Sequence, residues 1–139
     1  MDRFFVEKCA YWLAKPKAGD LVAFKGHGIP RLMPVLYIRR VVGLPGDKLS
    51  LQQGRICRNG LPVPWYAKAP PIPDYMMSQS LYLRHQADVF TVPPGAYFLL
   101  GDNLGNSHDS RFHGPVPEKS IIGRISKVYW PLNRAGTVK

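Results

Sequence analysis

The chain has 139 residues, with 45 % hydrophobic and 20 % charged side chains. That balance suits one folded domain with its own core and excludes wholesale disorder. A formal charge of +10 favours an anionic partner, either nucleic acid or lipid headgroups, without choosing between them.

High glycine and proline content beside 12 % aromatics favours a mostly β fold full of turns. No apolar run of about 18 residues occurs, so nothing reads as a bilayer-spanning helix. Met1-Asp2-Arg3-Phe4-Phe5-Val6 lacks the pattern of a signal peptide, so the chain reads as soluble as given. Cys9 and Cys57 have no metal-like spacing. Cys9 reads as a small buried apolar residue, and a disulfide with Cys57 stays open. Neither a metal nor an organic cofactor is implied.

In chain order, Phe4 to Leu13 is apolar and aromatic and fits a strand and turn or a short helix. Ala18-Gly19-Asp20 is a turn, and Leu21 to Lys25 reads as a buried strand. Gly26 to Pro30 is a loop. Pro34 to Val42 is a second strand, stopped by Gly43-Leu44-Pro45-Gly46-Asp47. Lys48 to Gln52 and Arg55 to Arg58 flank Gln53-Gly54 as a hairpin, and Asn59-Gly60 is a further turn. Pro62 to Pro73 is too proline-dense for sheet interior. Asp74 to Phe90 holds either a strand or a short helix. Pro93-Pro94-Gly95 turns into a strand at Ala96 to Leu100, ended by Gly101-Asp102-Asn103 and followed by a polar loop to Arg111. Ile121 to Trp130 is the last strand.

Three stretches carry a family resemblance. They are Asp2 to Lys8 with Pro16 to Lys25, then Tyr37-Ile38-Arg39-Arg40-Val41-Val42-Gly43-Leu44-Pro45-Gly46-Asp47, and Val92 to Asn103 continuing through Asn106-Ser107-His108-Asp109-Ser110-Arg111. In this order they resemble the blocks of bacterial type I signal peptidases. The resemblance implies a β-barrel or coiled β-sheet core with a small Pro-rich inserted β cap. The chain is then one domain over residues 1–139, with residues 59–92 as the inserted cap or loop region. It also implies peptide-bond hydrolysis that removes signal peptides from exported proteins at the outer face of the bacterial cytoplasmic membrane.

That chemistry joins a serine nucleophile to a lysine base, because the hydroxyl must lose its proton to a neutral amine as it attacks. The family's serine belongs to a Ser-x-Met-x-Pro box just ahead of the segment matching Asp2-Arg3. Here Met1 precedes Asp2, so the expectation is a chain with no intact catalytic set and no activity alone. The resemblance puts Arg39 at the position of the base lysine and Ser107 at that of the serine orienting it. A guanidinium stays protonated, so Arg39 cannot serve as base. Read by itself, it is a strand arginine paired with a carboxylate.

Gly43, Pro45, Gly46 and Asp47 read as a rigid structural turn. Gly101, Asp102, Asn103, Asp109, Ser110 and Arg111 form the loop after a buried strand. Arg40, Asp102, Asp109 and Arg111 are candidates for charge pairs holding the loops. His108 adjoins Ser107 and His113 follows Ser110 by three residues. Neighbours on an extended segment point apart, which argues against a Ser/His pair. His27 and His85 read as surface residues. Phe4, Phe5 and Trp12 are membrane-contact candidates, and basic residues would add attraction to anionic lipid.

The alternative to a fragment of an enzyme is a pseudopeptidase that binds extended signal peptides by strand addition without cutting them. A basic nucleic-acid-binding β module is the remaining reading. Without a Lys/Arg block or a nucleic-acid motif, no nucleic-acid partner is expected.

Overall fold

The computed structural model describes residues 3–7, 14–130 and 136–137, with side chains from 14 to 125. In chain order come β1 (Arg3–Glu7), β2 (Leu21–Lys25), β3 (Leu36–Gly43), β4 (Lys48–Gln52), β5 (Arg55–Arg58) and β6 (Leu61–Pro62). A short helix α1 (Asp74–Gln79) and β7 (Val89–Thr91) follow. Then come β8 (Ala96–Leu100), the single-turn helix α2 (Ser110–His113), β9 (Val116–Pro117), β10 (Ile121–Trp130) and β11 (Gly136–Thr137).

The strands make two antiparallel sheets. The larger runs β1-β10-β2-β3-β8-β9, with β11 also on β10, and the smaller runs β6-β5-β4-β7. The fold is therefore mostly β, as composition and turn density indicate. The Pro-rich stretch after Asn59 supplies β6, a 3-10 turn at Pro64–Tyr66 and α1, and it packs with the hairpin β4-β5.

The hairpin turns have a simple backbone cause. Gln53 and Gly54 have φ of 53° and 74°, and Asn59 and Gly60 have 53° and 84°. Two successive left-handed residues match the twist of the flanking strands, and Asn and Gly tolerate them best. Leu49 then faces Arg58, and Asn59 leads directly into β6.

β8 is buried along its whole length. Side chains alternate across a strand, so Phe98 and Leu100 enter a core with Val42, Leu49, Leu51 and Ile56. Tyr97 and Leu99 enter a second core with Val22, Phe24, Val41 and Val116. One strand thus forms a wall of both cores.

The two chain crossings between the sheets are locked together. Gly46 N–H donates to Val92 O at 2.8 Å, and Val92 N–H to Asp47 O at 2.9 Å. The Asp47 carboxylate accepts from Leu44 N–H, Asn59 Nδ2 and Arg58 Nε, closing the turn on the β5–β6 hairpin. Burial alone would raise its pKa, but the bonds from Arg58, Asn59 and Leu44 prevail and lower it.

Two expectations change. The second strand runs from Leu36 to Gly43 rather than from Pro34. The stretch up to Arg111 is not all loop, since α2 starts at Ser110 with Asp109 as its cap. Asp74 to Phe90 contains both a helix and the start of a strand. Cys57 is a buried free thiol with a pKa raised by burial, while Cys9 and Trp12 lie outside the described residues. Among the described residues no helix is long and apolar enough to cross a membrane.

Because Leu99 is fully buried, Leu99→Ala should cost about 2–5 kcal/mol in urea-induced unfolding. A cost below about 1 kcal/mol would contradict its place in the second core.

Candidate functional site

The site forms where β3 and β8 part. β8 pairs with β3 only from Arg40 onward, with Arg40 opposite Leu100. Leu36 to Arg39 therefore have β2 on one side and no strand on the other among the described residues. The chain leaving β8 at Gly101 loops past this open stretch and returns at α2.

A buried ion pair sets the loop. Arg111 Nε and Nη2 each donate to the Asp109 carboxylate at 2.8 Å, and both side chains are essentially shut off from solvent. Asp109 also accepts from Gly101 N–H at 3.1 Å and from Arg111 N–H at 3.2 Å. Arg111 continues to Leu104 O and Ser107 O at 2.9 and 3.4 Å. The Ser110 hydroxyl accepts from Leu99 N–H at 2.9 Å, tying the loop to the wall strand. These bonds satisfy charges that burial would otherwise make very costly.

This loop presses Ser107 onto Gly101. A Cβ at Gly101 would overlap Ser107 Oγ and would lie 3.8 Å from Arg39 Cδ. Gly101 is thus the point at which Ser107 and Arg39 come together, and it must lack a side chain. Tyr66, buried in the smaller-sheet core, donates its hydroxyl to Gly101 O at 3.1 Å. Its pKa is raised by burial and by the charges of Asp102 and Asp109, so the hydroxyl stays a donor.

Arg39 differs from the other arginines of the site. Arg40 meets Asp102 at 2.9 Å and also donates to Gly19 O, and the bond to Asp102 raises its pKa. Arg111 meets Asp109, and Arg58 meets Asp47. The carboxylate partner expected for Arg39 is absent among the described residues, because Asp102 is taken by Arg40. Instead Nη1 donates to Ile38 O at 2.7 Å and Nη2 to His108 O at 3.0 Å. Its Nε is buried without an acceptor, and its guanidinium lies 5.8 Å from the Tyr37 ring centre.

Sequence reasoning missed the role of the histidine segment. The His108 ring stacks on Phe112 with centroids 5.0 Å apart, leaving its carbonyl to Arg39. His113 is buried against Phe24, and its Nδ1 has no partner. Burial is the main force lowering its pKa to about 4, with His108 and Arg39 adding to it and Asp109 opposing. No serine hydroxyl among the described residues bonds a histidine ring. His27 and His85 are exposed.

The predicted residues thus separate. Arg39, Arg40, Gly101, Asp102, Ser107, Asp109, Ser110 and Arg111 gather at the mouth between β3 and β8. Asn103 is exposed and takes Gly105 N–H on its side-chain oxygen, at 3.2 Å, inside the same loop. Gly43, Pro45, Gly46 and Asp47 lie beyond it, at the junction of the two sheets. The side chains of Phe4 and Phe5 lie outside the described residues. No group of metal-ligating side chains is present among the described residues.

A strand cation and a loop serine thus meet over a glycine on a mostly β fold. Residues 1–130 match the family model for signal peptidase, peptidase S26, and the chain belongs to that family. It is 37 % identical over 140 residues to a signal peptidase I of Leptolyngbya laminosa, covering 97 % of this chain and 63 % of that protein. It is 32 % identical over 135 residues to the inactive signal peptidase IA of Staphylococcus aureus strain Mu50, covering 96 % and 71 %. The crystal structure of a signal peptidase I from Enterococcus faecalis V583 superposes with a TM-score of 0.59 at 29 % identity, over 79 % of this chain and 96 % of that one. The chain spans less than two thirds of the Leptolyngbya relative's length.

Two outcomes check this geometry. Asp109→Asn leaves the Arg111 charge buried and unpaired, and should cost about 3–5 kcal/mol in denaturant unfolding. A loss under about 1 kcal/mol would contradict the described pair. His113 is held neutral in the fold, whereas its unfolded value is 6.5. The unfolded chain therefore takes up a proton first as pH falls. Stability attached to His113 is complete above pH 6.5 and is lost down to about pH 4, by up to about 3 kcal/mol. His113→Phe should flatten the pH dependence of the unfolding free energy in that window, and an unchanged slope would show that His113 is not its source.

Proposed function

We propose that this chain binds extended signal peptides of exported proteins without hydrolysing them. The observation that carries the reading is Arg39, a permanent cation held by two carbonyls beside Ser107, at the place the family resemblance gives to the base lysine. A nitrogen that keeps its proton cannot deprotonate an attacking hydroxyl, whatever serine is supplied. The name of the Staphylococcus aureus relative, an inactive signal peptidase, is in line with this.

Binding remains open to the fold. Among the described residues Leu36 to Arg39 have a side free of strand neighbours, and backbone hydrogen bonding to an added strand needs no catalytic group. Met33, Val35 and Leu36 expose apolar surface at the same place, which suits the apolar side chains of a signal peptide. The excess positive charge suits work beside an anionic membrane surface. The family resemblance puts that work at the outer face of the bacterial cytoplasmic membrane.

Titration of the chain with a signal-peptide mimic, followed by mass spectrometry of the recovered peptide, tests this. Saturable binding with the peptide intact is expected. Absence of saturable binding, or recovery of cleaved fragments, would reject the proposal.

A further inference from the structure

We infer that Arg39 makes the site a receptor for the free C-terminal carboxylate of a peptide, the end that a signal peptide carries after it has been cut away. This rests on the extended-peptide reading above and specifies its ligand.

The argument begins with an unmatched charge. Arg40, Arg58 and Arg111 each meet a carboxylate from the chain itself. Arg39, also withdrawn from full exposure, meets neutral carbonyls alone among the described residues, and its Nε–H is buried with no acceptor. A guanidinium offers five donors in a planar fork whose natural complement is a carboxylate. Arg39 uses two acceptors, and its bond to His108 O lies at the exposed end of the group. The remaining Nη hydrogens, at the exposed end of the group, are the donors open to an incoming carboxylate, since Nε is shut off from solvent.

Position supplies the second part. Arg39 follows directly on Leu36 to Ile38, the stretch of β3 left open beyond Leu100. The loop carrying Ser107 and His108 lies against the Arg39 side chain. A peptide lying along Leu36 to Ile38 and ending beside that loop would bring its last residue to the guanidinium. An uncut polypeptide would set a neutral amide there and leave the charge unmatched. A released peptide would set its terminal carboxylate there. The substitution that removes the base thus turns the site from substrate to product recognition.

The test compares two peptides that end in the Ala-x-Ala pattern of signal-peptide cleavage sites, one with a free acid and one with a C-terminal amide. Binding to the 139-residue chain is measured by calorimetry at two salt concentrations. A net charge of +10 would favour any acidic peptide, so Lys68→Gln, which removes an exposed cation outside the site, serves as the control for general attraction. The free acid should bind at least about tenfold more tightly than the amide. Arg39→Gln should abolish that preference, so that the free acid and the amide bind alike. Arg39→Lys should retain part of it, and Lys68→Gln should retain it in full. Equal binding of acid and amide overturns the inference, and so does a preference that survives Arg39→Gln. Binding of neither peptide rejects the proposed function as well, whereas equal binding leaves that reading standing.

Discussion

Asp109 and Arg111 form an ion pair that water does not reach, and the mouth of the site is built outward from it. A buried pair of this kind need not add net stability, since desolvation offsets much of the attraction. Its effect is geometric. One carboxylate fixes the backbone of Gly101 and Arg111, and one guanidinium fixes the carbonyls of Leu104 and Ser107. The loop therefore has one arrangement, and Ser107 has one place to lie. The wall strand β8 supplies the rigid base, because each of its faces is packed into a different core. Tyr66 couples the smaller sheet to the same point through Gly101 O.

The family resemblance puts Arg39 and Ser107 where a base lysine and its orienting serine would stand, and on that reading the positioning parts of the site remain with a different nitrogen among them. Arg39 lies beside Gly101 and Ser107, and nearby Asp102 is committed to Arg40. An arginine here keeps the volume and charge of a protonated lysine but cannot cycle through a neutral form. Loss of proton transfer leaves strand pairing and charge recognition intact, because neither depends on deprotonation. Binding without cleavage is accordingly the function proposed for this site.

Much of the fold was legible in the sequence. Leu21 to Lys25, Ala96 to Leu100 and Ile121 to Trp130 begin and end where their apolar runs and turn residues indicate. The hairpin at Gln53-Gly54 follows from left-handed φ at both turn residues. The single helical turn at Ser110 was not read, although Asp109 ahead of it and Gly114 behind it are ordinary helix-boundary residues. Its brevity leaves no periodic signal for a sequence reading to detect. The charge pairs were legible as a set of four residues but not in their partnership. Arg39 and Arg40 are adjacent and chemically alike, and only the strand's alternation decides which of them reaches Asp102. The carbonyl of His108 as a partner for Arg39 is a backbone contact across 69 positions, and no side-chain pattern announces it. Tyr66 sits in a proline-rich stretch with no periodicity, so its hydrogen bond to the loop was equally hidden.

The central claim is that the site is a peptidase site whose base has been replaced by a permanent cation. The most direct measurement grafts a serine-box segment from an active relative ahead of this chain and follows cleavage of a signal-peptide substrate, with and without Arg39→Lys. The account predicts turnover only when the graft and the lysine substitution are both present. Serine-dependent turnover by the graft with Arg39 intact would contradict it.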